Sequence, residues 1–144
     1  MPKTNWSRVF LGGLLAGVVF IILGWAAYVI YLGKLWSSAL EVLGRPLSAM
    51  TFGDYVSAIV GSLVAGILAV WLYSAIRPRY GAGAKTAVCA GLFFWALGSL
   101  FPSISLGGMG LFSASLLVTD SLTSLVASVV GTLLGAWVYK EQSQ

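Results

Sequence analysis

Few side chains in this sequence have the chemistry for acid–base, nucleophilic or metal-binding roles. The 144 residues include four Asp and Glu residues, one cysteine and no histidine. Histidine is the commonest general base and metal ligand, and metal sites need several His, Cys, Asp or Glu side chains together. No two carboxylates lie within one helical turn, and Cys89 has no second cysteine with which to pair. The sequence therefore predicts a non-catalytic protein that binds no metal and no cofactor.

One carboxylate, Asp120, stands beside a long apolar run and has two interpretations. At the start of a helix it would be a capping residue, whereas an acid deeper in a membrane marks a functional site. Because the run from residue 121 is already long enough to span a membrane, the sequence favours the cap. Hydroxyl groups follow Asp120 along the same run: Ser121, Thr123, Ser124, Ser128 and Thr132.

A second candidate for chemistry is the stretch IRPRYGAGAKT at residues 76–86, which suggests a phosphate-binding loop. Such a loop requires glycine directly before its lysine, and here Ala84 precedes Lys85. The sequence therefore predicts neither nucleotide nor nucleic acid as a partner.

The same stretch is typical of a short basic turn between two helices. Pro78 disfavours helical geometry at the residue before it, which predicts that the preceding helix ends at Arg77. Three cations would then lie near lipid headgroups, where each gains on the order of 1 kcal/mol from anionic lipid. We therefore predict Arg77, Arg79 and Lys85 as contacts for anionic lipid.

The elements that position these residues follow from composition. Apolar residues make up 59% and charged residues 8%, against roughly 25% charged in soluble proteins. Four uncharged runs approach the roughly 20 residues that cross a bilayer. They predict one all-α transmembrane domain over residues 1–144, a four-helix bundle with helices at about 9–33, 55–76, 86–104 and 120–139.

Charge asymmetry predicts the orientation of this bundle. Two basic residues, Lys34 and Arg45, fall on one side of the predicted membrane. Six fall on the other: Lys3, Arg8, Arg77, Arg79, Lys85 and Lys140. Loops rich in Lys and Arg stay in the cytoplasm. We therefore predict a multi-pass protein of the bacterial inner membrane with both termini cytoplasmic.

Small residues spaced about one turn apart occur in every predicted helix. Such rows let helix backbones approach closely in lipid, where burial of apolar side chains drives little association. The predicted packing residues are Gly13, Gly17, Gly24, Ser62, Gly66, Gly91, Gly98, Gly131 and Gly135.

The two halves of the chain also resemble each other. AGVVFIILG at 16–24 matches AGLFFWALG at 90–98, and SLVAGILAVWLY at 62–73 matches SVVGTLLGAWVY at 128–139. A duplication would make hairpins 1–76 and 77–144 parallel repeats. Chance similarity between apolar helices explains the matches equally well, so both explanations stay open.

Two connecting segments remain ambiguous. Residues 34–45 form an amphipathic pattern, and this short outer helix either extends the first helix or lies along the membrane interface. Residues 106–119 are either a re-entrant or interfacial segment or the beginning of the fourth helix. Asp54 is predicted to help begin the second helix, where a carboxylate suits the helix dipole.

Two stretches resemble a group of small bacterial four-helix membrane proteins: WLYSAIRPRYGAGAKTAVCAGL at 71–92 and NWSRVFLGGLLAGVV at 5–19. The resemblance implies the four-helix architecture and brings no activity with it. On function, the sequence favours an accessory or structural subunit of a larger membrane complex, respiratory or photosynthetic, with other membrane subunits and lipids as partners. The alternative is a small transporter or channel whose path is lined by Asp120 and the hydroxyls of the fourth helix. An Asp120 that faces a cavity would favour transport.

Overall fold

The computed structural model describes residues 4–140, and within that range the chain is helical and contains no strand. Four helices are long and apolar enough to cross a membrane: α1 Trp6–Val42, α2 Phe52–Tyr80, α3 Ala84–Gly108 and α4 Ala114–Val138. These features confirm an all-helical chain with four helices of membrane-spanning length. Lys3 and Glu141 lie outside the described residues.

The helix α1 is longer than predicted because the amphipathic segment continues it. A single π-helical turn, Tyr28–Leu32, joins the α-helical stretches Trp6–Ala27 and Gly33–Val42. The apolar stripe of the second stretch packs on Leu116 near the beginning of α4 and on Phe112 just before that helix. The rings of Trp36 and Phe112 meet edge-on with centroids 5.7 Å apart. Of the two alternatives, the segment therefore extends the first helix.

The helix α2 begins at Phe52, three residues before the predicted start, and ends later than predicted, while Asp54 stands in its first turn as predicted. Asp54 accepts a hydrogen bond from the backbone N–H of Thr51 at 2.8 Å, in a reciprocal capping arrangement. The prediction that α2 ends at Arg77 is wrong, because the helix runs through Pro78 to Tyr80. Proline removes one backbone donor, and the helix tolerates this loss because it ends within one turn, before Gly81. Gly81 has φ +86°, a conformation that favours glycine and ends the helix.

The helix α3 runs through Pro102 to Gly108, beyond the predicted end near residue 104. A second π-helical turn, Ala96–Leu100, stands directly before the proline, and the N–H of Phe101 donates to the carbonyl of Ala96. Pro102 therefore occupies the first turn of a renewed α-helix, a position where its missing N–H costs little. The α-helix then continues to Gly108.

The helix α4 begins six residues before Asp120. Ser113 caps it by accepting a hydrogen bond from the N–H of Leu116 at 3.3 Å. Residues 106–119 are therefore the end of α3, a turn at Gly110 with φ +68°, and the beginning of α4. The prediction that Asp120 caps the fourth helix is wrong, because Ser113 does so and Asp120 lies nearly two turns further in.

The four helices pack antiparallel in sequence order around the bundle. We call the end that holds Trp6, the turn between α2 and α3, and Val138 the terminal end, and the opposite one the far end. In the terminal half, backbones touch without side chains between them. A Cβ on Gly66 would overlap backbone atoms of Gly13 and Gly17, and one on Gly135 would lie 2.6 Å from the carbonyl oxygen of Gly12.

The outward surface of the bundle is apolar, and the interior of the bundle consists largely of small residues. Trp137 is 81% exposed and Phe52 is 83% exposed, whereas Ala16, Ala69 and many glycines are buried. An apolar surface of this extent suits lipid, since soluble monomers rarely expose large apolar patches. The chain therefore has the character of a multi-pass membrane protein.

Equivalent positions of the two halves make equivalent contacts. A Cβ on Gly17 would meet the Cα of Leu63 and the carbonyl of Ser62, and one on Gly91 would meet the Cα of Val129 and the carbonyl of Ser128. These are the positions that the two sequence matches pair. A duplication would produce this pattern, and the duplication itself stays a prediction.

Candidate functional site: a cavity in the far half of the bundle

The bundle is closed in its terminal half and open in its far half. Every residue of 51–61 is exposed, so the first part of α2 stands away from its neighbours, whereas Gly66 and Val70 are buried. The separation leaves a cavity of about 580 Å³ between all four helices. Its size falls within the range of small-molecule sites.

The walls of this cavity differ in chemistry. The α4 wall is polar and presents Asp120, Thr123, Ser124 and Ser128. The α2 wall consists of small residues: Ala58, Gly61, Ser62 and Ala65. Aromatic side chains from the two remaining helices complete the lining: Phe20, Tyr28, Trp36, Phe94 and Trp95.

Gly24 and Gly98 line this cavity rather than a helix contact. A Cβ built on either glycine would meet nothing within 4 Å, which differs from the packing role predicted for both. Their helices diverge from their neighbours at this level, so no backbone comes close. Gly13, Gly17, Gly66, Gly91, Gly131 and Gly135 do lie against neighbouring helices, and Ser62 contributes its carbonyl to the contact with Gly17.

Asp120 is half-buried in the polar wall, about 9 Å along α4 from Ala114 at 1.5 Å per residue. The indole Nε1 of Trp36 donates a hydrogen bond to its Oδ1 at 3.4 Å. Among the described residues that line the cavity, Asp120 is the one that carries a charge. The site therefore has a single acidic side chain held among aromatic and hydroxyl side chains.

Three further hydrogen bonds fix the wall around Asp120. The Tyr31 hydroxyl and Thr123 Oγ1 lie 2.6 Å apart and bridge α1 to α4. The hydroxyl of Thr123 also reaches the carbonyl of Thr119 at 2.8 Å. The Trp95 Nε1 donates to the carbonyl of Ser121 at 2.8 Å and ties α3 to α4. The carboxylate is thus presented from a wall that both neighbouring helices support.

Two phenylalanines form the floor of the cavity. Phe20 and Phe94 stack across the bundle with ring centroids 6.1 Å apart and planes 19° apart. Beyond them, toward the terminal end, the interior is filled by a continuous apolar cluster that includes Val9, Val70 and Tyr73. The cavity is therefore a closed-ended pocket in this conformation, not an open channel.

Both π-helical turns adjoin this pocket. Tyr28 and Leu32 come from the turn in α1, and Gly98 and Ser99 come from the turn in α3. Pro102 has no N–H to donate to the carbonyl of Gly98, four residues back. Single π-turns inside α-helices occur frequently at functional sites.

The predicted lipid-contact residues lie at the terminal end of the bundle and differ in their exposure. The Arg77 guanidinium carbon stands 5.4 Å from the centre of the Tyr139 ring, and the side chain is partly buried. Arg79 and Lys85 are exposed. Arg77 therefore helps to join α2 to the end of α4, while the other two cations face outward. Binding of anionic lipid by these residues stays a prediction.

Internal contacts shape the turn that carries these cations. The N–H of Gly83 donates to the Tyr73 hydroxyl at 3.3 Å, and the Thr86 hydroxyl donates to the carbonyl of Gly81 at 2.7 Å. Gly83 has φ +136°.

Across residues 4–140, no three His, Cys, Asp or Glu side chains come together as a metal site would need.

The sequence indicated Asp120 and the α4 hydroxyls as a polar path only in its alternative interpretation, and of those hydroxyls Thr123, Ser124 and Ser128 line the cavity whereas Ser121 and Thr132 do not. It missed Trp36 and Tyr28 as cavity residues. The amphipathic pattern of 34–45 placed Trp36 on an apolar stripe without showing what that stripe contacts.

Comparison with known proteins does not assign the chain to a family: no family model matches the chain, and neither the curated proteins nor the solved structures contain a match.

Proposed function

We propose that this protein is a small membrane transporter that takes a solute into the far-half cavity and carries it past Asp120. The observation behind the proposal is the place of Asp120, which faces the cavity instead of capping α4. An ionisable side chain at membrane depth is costly and usually marks a substrate or ion pathway. The bundle would have to open its terminal half for the solute to pass, as alternating access requires.

The other features of this proposal follow from the charge pattern. In this proposal the protein lies in a bacterial inner membrane with both termini in the cytoplasm, and the cavity then opens away from the cytoplasm. Arg79 and Lys85 then face the inner leaflet, where anionic lipid is the natural partner of exposed cations. No catalytic step and no cofactor are part of the proposed mechanism.

Flux measurements on proteoliposomes test the proposal. The solutes are K⁺, tetraethylammonium, glycerol and acetate, each tested on wild type, Asp120→Asn and Glu41→Gln. Glu41 is exposed and lies outside the cavity, so Glu41→Gln removes an equal charge as a matched control. We expect at least one flux to fall about tenfold or more in Asp120→Asn alone, as loss of about 1.4 kcal/mol of pairing gives. Equal fluxes in all three proteins would rule out transport through this cavity.

A second candidate function is an accessory subunit of a larger membrane complex. The feature that favours it is the separated first part of α2, where Phe52 and Tyr55 are exposed and no neighbouring helix covers 51–61. Purification from native membranes in mild detergent, followed by native gels and mass spectrometry, tests it. Stoichiometric co-migration with other subunits would support this function, and a lone monomer or homo-oligomer would count against it.

A further inference from the structure

We infer that the cavity binds an amphipathic organic monocation, a single positive charge on an apolar or aromatic body. This inference rests on the proposed function, since it names the class of solute that the same cavity takes. It depends on three properties of the lining: its charge, its aromatic residues and its shape.

The charge of the lining selects a monovalent cation. Asp120 is the one charged residue among the described lining residues, and the remaining polar groups are hydroxyls and an indole N–H. An ionised carboxylate in a half-buried site is stabilised by a positive partner, because an uncompensated charge removed from water is expensive. The partial pairing with Trp36 at 3.4 Å is long for a hydrogen bond to an anion. One compact positive charge would complete this site.

The aromatic residues select an organic rather than an inorganic cation. Small metal ions need several oxygen ligands at once, and the described lining offers a single carboxylate. Trp36, Tyr28 and Trp95 instead line the same pocket with aromatic side chains. Such rings attract cations over their faces and provide apolar contact for the rest of the molecule.

The shape of the cavity supplies room for an apolar body. Ala58, Gly61 and Ala65 form a smooth wall opposite Asp120, and a Cβ on Gly61 would meet nothing within 4 Å. At about 580 Å³ the space is far larger than a hydrated inorganic ion requires. The charged group would lie near Asp120 and the apolar body would fill the space between α2 and the Phe20–Phe94 floor.

A pair of ions with the same shape and opposite charge tests the inference directly. Tetraphenylphosphonium and tetraphenylborate differ in sign and share size and apolar surface. Binding of each to the detergent-purified full chain is measured by calorimetry. We expect saturable binding of the phosphonium only, at least about tenfold weaker in Asp120→Asn and unchanged in Glu41→Gln.

A second pair of variants separates direct contact from a change in fold. Trp36→Leu removes a cavity ring, and Trp25→Leu removes a ring that is 69% exposed on the outer surface of α1. Trp36→Leu should weaken phosphonium binding by about 2- to 30-fold, the range of a cation–π contact, and Trp25→Leu should not. Circular dichroism and gel filtration confirm that each variant remains folded.

The outcomes distinguish this inference from the proposed transport. Equal binding of the borate, or full affinity in folded Asp120→Asn, would overturn the cation assignment. A folded wild-type protein that does not bind the phosphonium would also overturn the cation assignment. In that case, an Asp120-dependent flux of K⁺ or glycerol would still support transport. Phosphonium binding that depends on Asp120, without flux of any solute, would support the site and reject transport.

Discussion

At Gly66 the backbones of α1 and α2 touch, and the contact depends on a missing side chain. A Cβ there would overlap the amide nitrogen of Gly17 and the carbonyl oxygen of Gly13. Backbone atoms within two packed helices do not move aside as the end of a flexible side chain would. The helices must therefore separate locally if any larger residue occupies this position.

We predict that Gly66→Ala destabilises the bundle by about 1–3 kcal/mol, the usual cost of overpacking. The control is Gly61→Ala on the same helix, where an added Cβ meets nothing within 4 Å and helix propensity improves. Thermal unfolding of the detergent-solubilised protein measures both. A midpoint for Gly66→Ala equal to that of wild type would show that the close contact does not stabilise the fold.

The role of Asp120 shows what the sequence was able to predict at the level of single residues. Composition singled out this residue because few others carry charge. Its depth depended on where α4 begins, and Ser113 was not recognised as the cap because residues 106–119 are apolar enough to suit several structures. The partner Trp36 lies 84 residues away in the chain, and no local pattern indicates that contact.

At the level of elements, apolar run length predicted which helices exist but not where they end. A run of uncharged residues measures how much chain tolerates lipid, and helices continue beyond it where caps and packing allow. Thus α3 extends through Pro102 to Gly108, and α1 extends through a charged segment to Val42. The π-turns that permit both extensions need one more residue per turn, and hydrophobic periodicity at this length does not reveal them.

The far half of α2 is exposed, whereas its terminal half packs against the neighbouring helices. Gly66, Ala69 and Val70 pack closely against the bundle, whereas every residue of 51–61 is exposed. The sequence predicted Ser62 and Gly66 as packing residues, and Ala58 continues their four-residue spacing toward the far end. Small residues allow close contact without enforcing it, and Ala58 lines the cavity instead.

At the level of the whole molecule, charge is distributed unequally between the two ends of the bundle. Arg8, Arg77, Arg79 and Lys85 lie toward the terminal end, and Lys34 and Arg45 lie toward the far end. Residues 4 and 140, the ends of the described chain, lie at the same end of the bundle. In the orientation that we propose from the positive-inside rule, this end would face the cytoplasm and the cavity would face the opposite side.

We predict that green fluorescent protein fused after residue 144 is fluorescent, while alkaline phosphatase fused within 43–51 is active, because only the far end would be exported in the proposed orientation. Replacing Arg77, Arg79 and Lys85 together by glutamine halves the six basic residues of the cytoplasmic side. Since Lys and Arg near membrane helices set orientation, the triple variant should show phosphatase activity at both ends. An active phosphatase after residue 144 in the wild type would reverse the orientation and with it the direction in which the cavity opens.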